Sequence, residues 1–414
     1  ALDSTKLDGD NRFSFLLDSI EDGLYHFNHE PEFQNIYLEK GDSIQLRLNT
    51  MDFDESLVFS GTNEAVNNFL LELFLVNEEE EQNMYRTFYD LEPEGFKDKI
   101  AALKKEKLEA LSSLKFETGF SEGAFGIAKA CIDYTYYKYL ELYPFEHKRK
   151  LRESVLHDLP NDFYSYRKNV NYDNGRLNYL KPYYEFMKSH FGNISYMTCA
   201  QKCGIKGEVI SNQLHFNEHK LHLIDSLVKG KELRDNLFRN VAFNYLLKEH
   251  NAPENNEVFI KQFEKVSGNN VHIKEIESLY NGIRRIQPNN KIPDIKVVSV
   301  DGRNISLQDI GKDRKVIFYF WSSTNKKHYE NIFKRVADLN KEKSNIDFVG
   351  INVKTDQNNW NGIIQNLNLD PTKQYRAENF KELTETLIII PMNKCIITEN
   401  ALIVDAFSNI YDKL

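Results

Sequence analysis

Apolar and polar residues alternate along the first part of the chain. RFSFLL, GLYHFNH, NIYLE, IQLRLN and SLVFSG place apolar side chains at about every second position, between Asp-Gly, Glu-Asp-Gly and Lys-Gly-Asp turns. That period and those turns predict a small antiparallel β module over 1–62. From Asn63 onward the period lengthens. NNFLLELFL, DKIAALKKEKLEALSSL, AKACIDYTYYKYLELY, LNYLKPYYEFMKSHF, NEHKLHLIDSLV, KELRDNLFRNVAFNYLL, EVFIKQFEKV and VHIKEIESLYNGI each carry an apolar stripe spaced as on a helix. They predict an α-helical domain over 63–285. No fixed repeat period supports a solenoid. IQPNNKIPD, with two prolines, reads as a linker. After it, KVVSVDGRNISL, VIFYFW, a helix through Leu339, IDFVGINV, a helix near Trp360 and LIIIPMNKCIITENALIVDAF alternate strand with helix. Such alternation predicts an α/β domain over 286–414 and an α+β multidomain chain.

Within that last region, KVIFYFWSSTNKKHYENIF is the most informative stretch. A strand pattern from Val316 to Trp321 ends in small polar residues, and helical spacing begins near Asn325 with Tyr329, Ile332, Phe333 and Val336. It resembles the active-site strand, turn and helix of a thioredoxin fold. Redox members of that fold carry two cysteines separated by two residues at the helix N-terminus, where the dipole and free N–H groups lower the thiol pKa. Here the two places hold Asn325 and His328. Neither can form a disulfide, so the familiar activity is chemically excluded at this turn.

The region 286–414 resembles the TlpA-like group of thioredoxin-fold proteins. The matching residues are Pro293 and Asp294, the Asp301-Gly302 hairpin, the strand ending Phe320-Trp321, the strand DFVGINV and the pair Ile390-Pro391. The resemblance implies a thioredoxin-like domain with a cis-proline at Pro391 facing the turn. Upstream, YLEKGDSIQLRLNTMDFDESLVFSGTNEAVNNFLLE resembles the small β domain, closed by an Asn-rich helix start, that precedes such domains in the Bacteroidetes group. Family members are commonly exported and often lipid-anchored. That implies a cell-envelope location, periplasmic or outer-membrane-associated, with a possible lipid anchor upstream of Ala1. Because Ala1 lies close to the first strand pattern, an earlier strand is also expected upstream.

Composition narrows the function classes. With 41% hydrophobic and 28% charged residues, the chain reads as globular, and no run approaches the roughly 18 apolar residues of a membrane span. No transmembrane span is expected. The first 78 residues hold 4 basic against 16 acidic side chains, which exceeds the net charge of -9 of the whole chain. An acidic surface of that kind repels nucleic acid, which is not an expected partner. The four cysteines are too few for a disulfide scaffold and, taken alone, form no zinc pattern.

Candidate chemistry is sparse. Asn325 suits a helix N-cap, with Lys326, Lys327 and His328 in a solvated first turn. The alternative is an anion or partner site built from helix N–H groups and those three side chains, with Trp321 beside them. Cys395, four residues past Pro391, reads as a buried small hydrophobe, with a peroxidatic or redox-sensing role as the alternative. Cys199 and Cys203 share a helix face, either as core residues, as a disulfide, or as a metal or redox pair. His215, His219 and His222 at i, i+4 and i+7 are weak metal candidates, because HFNEH lacks a glutamate directly after its first histidine. Asp52, Asp54 and Glu55 lack an EF-hand's spacing. Phosphate-loop, nucleophile-elbow and dinucleotide motifs are absent from the sequence.

The expected function is therefore a non-catalytic thioredoxin-like envelope protein, a binding or scaffold module, possibly a subunit of an outer-membrane assembly. No catalytic residue and no cofactor are assigned, and the expected partner is an unidentified protein. The alternatives are a thiol-disulfide oxidoreductase or peroxidase using nonstandard cysteines, and a carbohydrate or peptide binder.

Overall fold

A computed structural model of the chain describes residues 2–29, 32–50, 52–199, 204–206 and 209–413. It divides into two compact units, Ala1–Val241 and Ala242–Leu414.

Two hairpins open the first unit. Gly23–His29 pairs antiparallel with Glu32–Leu38, and Ile44–Arg47 with Val58–Gly61. Two-stranded hairpins are marginal alone and need an apolar partner. The helix Glu64–Arg86 supplies it, with Leu71 packed among Ile36, Leu57 and Phe59. Its Asn-rich start has a structural reason. Asn67 Oδ1 accepts from Tyr37 N at 2.7 Å while its Nδ2 donates to Tyr37 O at 3.0 Å. Asn68 treats Phe59 in the same way, at 3.0 and 2.9 Å. Each amide thus stands in for a neighbouring strand and satisfies a backbone pair that burial would leave orphaned.

The helices Pro93–Thr118, Glu122–Leu151, Lys181–Thr198 and Gln213–Leu227 continue the unit. The apolar stripe predicts one helix through 177–191, but the structure begins it at Lys181. Pro182 lies in the first turn, where its missing N–H costs nothing, and Gly175–Leu177 forms a separate 3-10 turn. Glu141, fully buried on the longest helix, receives Arg167 through Nε at 3.0 Å and Nη2 at 2.5 Å. His190 Nδ1 meets the same carboxylate at 2.6 Å. Burial alone would raise its pKa; the His190 and Arg167 hydrogen bonds outweigh that and hold it below the ordinary value.

In the second unit the helices Pro253–Ser267 and Ile273–Arg285 precede a seven-stranded mixed sheet. The strand order is Leu402–Asn409, Lys394–Glu399, Lys315–Trp321, Asp347–Asn352, Gln374–Ala377, Lys296–Ser299, Asn304–Ser306. Lys315–Trp321, Asp347–Asn352 and Gln374–Ala377 run parallel, and Lys394–Glu399 lies antiparallel to the first of them. Strand, helix, strand, then an antiparallel strand pair entered through a proline is the topology of a thioredoxin-like domain, here with an added helix and strand, Gln357–Asn366 and Gln374–Ala377. From Val316 to Trp321 every residue of the central strand is buried, as a strand covered on both faces requires. Its odd-numbered side chains, Ile317, Tyr319 and Trp321, pack with Ile332, Phe333, Trp360 and Cys395. Gly350 lies between Tyr319 and Gln374 in register, where the Gln374 amide donates to the Tyr319 hydroxyl at 2.9 Å. A Cβ there would stand 2.3 Å from Gln374 Oε1. Only glycine fits.

Candidate functional site

The turn after the central strand is held by its own hydrogen bonds. Ser323 N donates to Thr355 Oγ1 at 3.1 Å, and the Ser322 and Thr324 hydroxyls meet at 3.0 Å. The helix Lys326–Glu342 then starts at Asn325, whose Oδ1 accepts from His328 N at 2.9 Å. The side chain at the first motif position is thus used to cap its own helix. Lys326 and Lys327 are exposed, and no acidic residue stands in that first turn to complement the dipole. Burial pushes the His328 imidazole below its ordinary value, and its Nε2 is enclosed with no hydrogen-bond partner among the described residues.

Trp321 does not belong to the surface of this turn. It is 0% exposed, edge-on to Phe333 at 5.0 Å and to Tyr329 at 6.0 Å. As a surface binding candidate it is corrected to a core residue, because the side-chain alternation that buries Ile317 and Tyr319 carries it to the same covered face.

The Ile390–Pro391 peptide bond is cis. Cys395 pairs in register with Tyr319 on the central strand. Pro391 lies in the turn that leads into this strand, its carbonyl accepting from Lys394 N at 3.1 Å. Lys394, 3% exposed, anchors this approach: its Nζ donates to Leu387 O at 2.7 Å and Ile388 O at 2.9 Å, and lies 4.2 Å from the Phe407 ring centroid. Burial pulls its pKa down to about 7, with Asp405 and Cys395 opposing the shift. The sequence reading passed over Lys394. Its signal was a single cation inside the apolar run LIIIPMNKCIIT.

The thiols are poorly placed for redox work. Cys395 is 0% exposed, and burial, with Asp405 and Asp412 nearby, pushes it up to about 12. Burial does the same to Cys131, also to about 12. Neither holds a thiolate near neutral pH, the form that attacks disulfides and peroxides. Cys199 is buried at the end of Lys181–Thr198, its Sγ 3.4 Å from His215 Nδ1. Cys203 lies outside the described residues. His219 Nε2 meets Thr198 Oγ1 at 3.0 Å, its ring stacked on His215, and His222 is exposed on the same helix. Glu92, His147 and His157 form a further group of converging ligand atoms that the sequence reading missed. They lie 55 and 10 residues apart in the chain, with no motif spacing to reveal them.

No protein-family profile and no curated protein matches the chain. Among solved structures it is similar to a thiol-disulfide oxidoreductase from Bacteroides fragilis, at 20% identity and a TM-score of 0.25, over 28% of this chain and 88% of that one. The thioredoxin domain of a thiol-disulfide oxidoreductase from Bacteroides vulgatus shares 18% identity at a TM-score of 0.24, over 28% and 86%. A thiol:disulfide interchange protein from a Bacteroides species shares 17% at 0.25, over 29% and 80%. Among the described residues no helix is long and apolar enough to cross a membrane.

Proposed function

We propose that this protein is a non-catalytic, thioredoxin-like binding or scaffold module of the cell envelope that engages a protein partner through the turn at Lys326, Lys327 and His328. The observation that carries this reading is the use of Asn325: the side chain at the attacking position of the redox motif caps the helix instead. The burial and elevated pKa of the Cys395 thiol speak against it as a substitute nucleophile. What remains at the turn is an exposed cationic pair on a rigid strand and helix, a surface suited to an acidic partner segment. The envelope location and any outer-membrane assembly rest on the family resemblance of the sequence.

Two measurements test it. In an insulin-reduction assay with dithiothreitol, the protein is expected to give no turnover above a variant with all four cysteines changed to serine. Cysteine-dependent turnover would overturn the reading. In mild-detergent extracts of its native envelope, crosslinking is expected to recover one stoichiometric partner, lost in K326E/K327E. Recovery that is indifferent to both charge reversals would remove the turn from the interface.

A further inference from the structure

His147 and His157 face each other in a way that needs a cation between them. His147, in the last turn of Glu122–Leu151, is 1% exposed and stacks on Tyr143 at 4.9 Å. Its Nδ1 lies 2.7 Å from the Tyr89 carbonyl oxygen. A carbonyl only accepts, so Nδ1 carries the hydrogen and Nε2 presents a lone pair. His157 Nε2 lies 2.5 Å from Glu153 Oε2, which by the same argument leaves a lone pair on its Nδ1. These two lone-pair nitrogens are 3.2 Å apart, and Glu92 Oε2 stands 3.5 Å from His157 Nδ1. All three ligand atoms lie within 4.8 Å of one another. Two lone pairs and a carboxylate oxygen repel unless a proton or a metal ion sits among them.

We propose that it is a divalent metal ion of the zinc class, held by His147 Nε2, His157 Nδ1 and Glu92. Tetrahedral zinc with bonds of about 2.0–2.1 Å has ligand-to-ligand edges of about 3.3 Å, between the two separations found here. Both imidazoles give their outer N–H to an acceptor, one a backbone carbonyl and one a carboxylate, the outer-shell pairing that orients metal-binding histidines. Glu92 is the N-cap residue of Pro93–Thr118, yet its side chain caps no backbone N–H. Three protein ligands leave a position for water.

The full chain, stripped with chelator under reducing conditions, is titrated with Co2+ and then Zn2+. The expected result is one bound equivalent of cobalt that zinc displaces. H157A/E92Q, at half-buried and exposed positions, is expected to lose that equivalent, or at least about tenfold in its affinity, while its far-ultraviolet circular dichroism shows that it is folded. No bound equivalent in the wild type, or unchanged stoichiometry and affinity in H157A/E92Q, overturns the site and leaves a shared proton there.

Discussion

Lys394 and Glu141 are both buried charges, with opposite balances. Glu141 has the Arg167 guanidinium and a His190 hydrogen bond and keeps its charge, whereas Lys394 has two carbonyls, a ring face and Asp405. The folded lysine titrates near 7 against an ordinary 10.5, so between those values the unfolded chain holds the extra proton. Stability then rises with pH across that window, by up to about 1.4 kcal/mol per unit, and the penalty of burying the charge is fully present below it. Urea denaturation at pH 6, 7.5 and 9 should show this slope in the wild type and lose it in K394M. His250, near Phe407, is itself pushed below its ordinary value by burial, with Lys394 adding to the shift. Replacing Glu141 by Gln leaves Arg167 without its counter-charge. A loss of about 3–5 kcal/mol is expected from denaturation at neutral pH.

At the scale of elements, single residues decide whether a hairpin or a sheet can exist. Asn67→Ala orphans the N–H and C=O of Tyr37, which is 2% exposed, and should cost about 2 kcal/mol or more by chemical denaturation. Asn68→Ala should resemble it through Phe59. Gly350→Ala places a methyl against Gln374 and the Tyr319 ring, and a loss of about 1–3 kcal/mol is expected from overpacking. Asn325→Ala should cost only about 1 kcal/mol, the value of an N-cap, with no loss of any redox activity. The β module, the helical stripes and the strand-turn-helix were legible because each is a local periodicity. The start of the helix at Lys181 was not, since Pro182 sits inside an apolar stripe that continues on both sides of it.

The whole molecule carries an internal reporter. Both tryptophans, Trp321 and Trp360, are 0% exposed and belong to the second unit, whereas much of the helix lies in the first. Tryptophan fluorescence and far-ultraviolet circular dichroism should therefore give non-coincident denaturation curves, as chains with more than one cooperative unit do. Glu141→Gln should move the dichroism curve and leave the fluorescence midpoint in place. Gly350→Ala should do the reverse. A single shared transition that responds to both substitutions would show that the units unfold as one.

The sequence by itself determined the order of a β-rich, a helical and an α/β region and that Asn325 and His328 cannot exchange a disulfide, because those properties belong to neighbouring residues and their side-chain chemistry. It also held the cue to Asn67 and Asn68, as an Asn-rich helix start without an assigned partner. The tertiary structure decided the rest. Trp321 became core through the pleat of a strand covered on both faces, and Lys394 acquired its depressed pKa only through burial in the folded chain. Glu92, His147 and His157 share no motif, since helix ends and loops remote in the chain meet there only after packing. Burial, proton position and convergence are properties of distance in space, which the order of residues does not state.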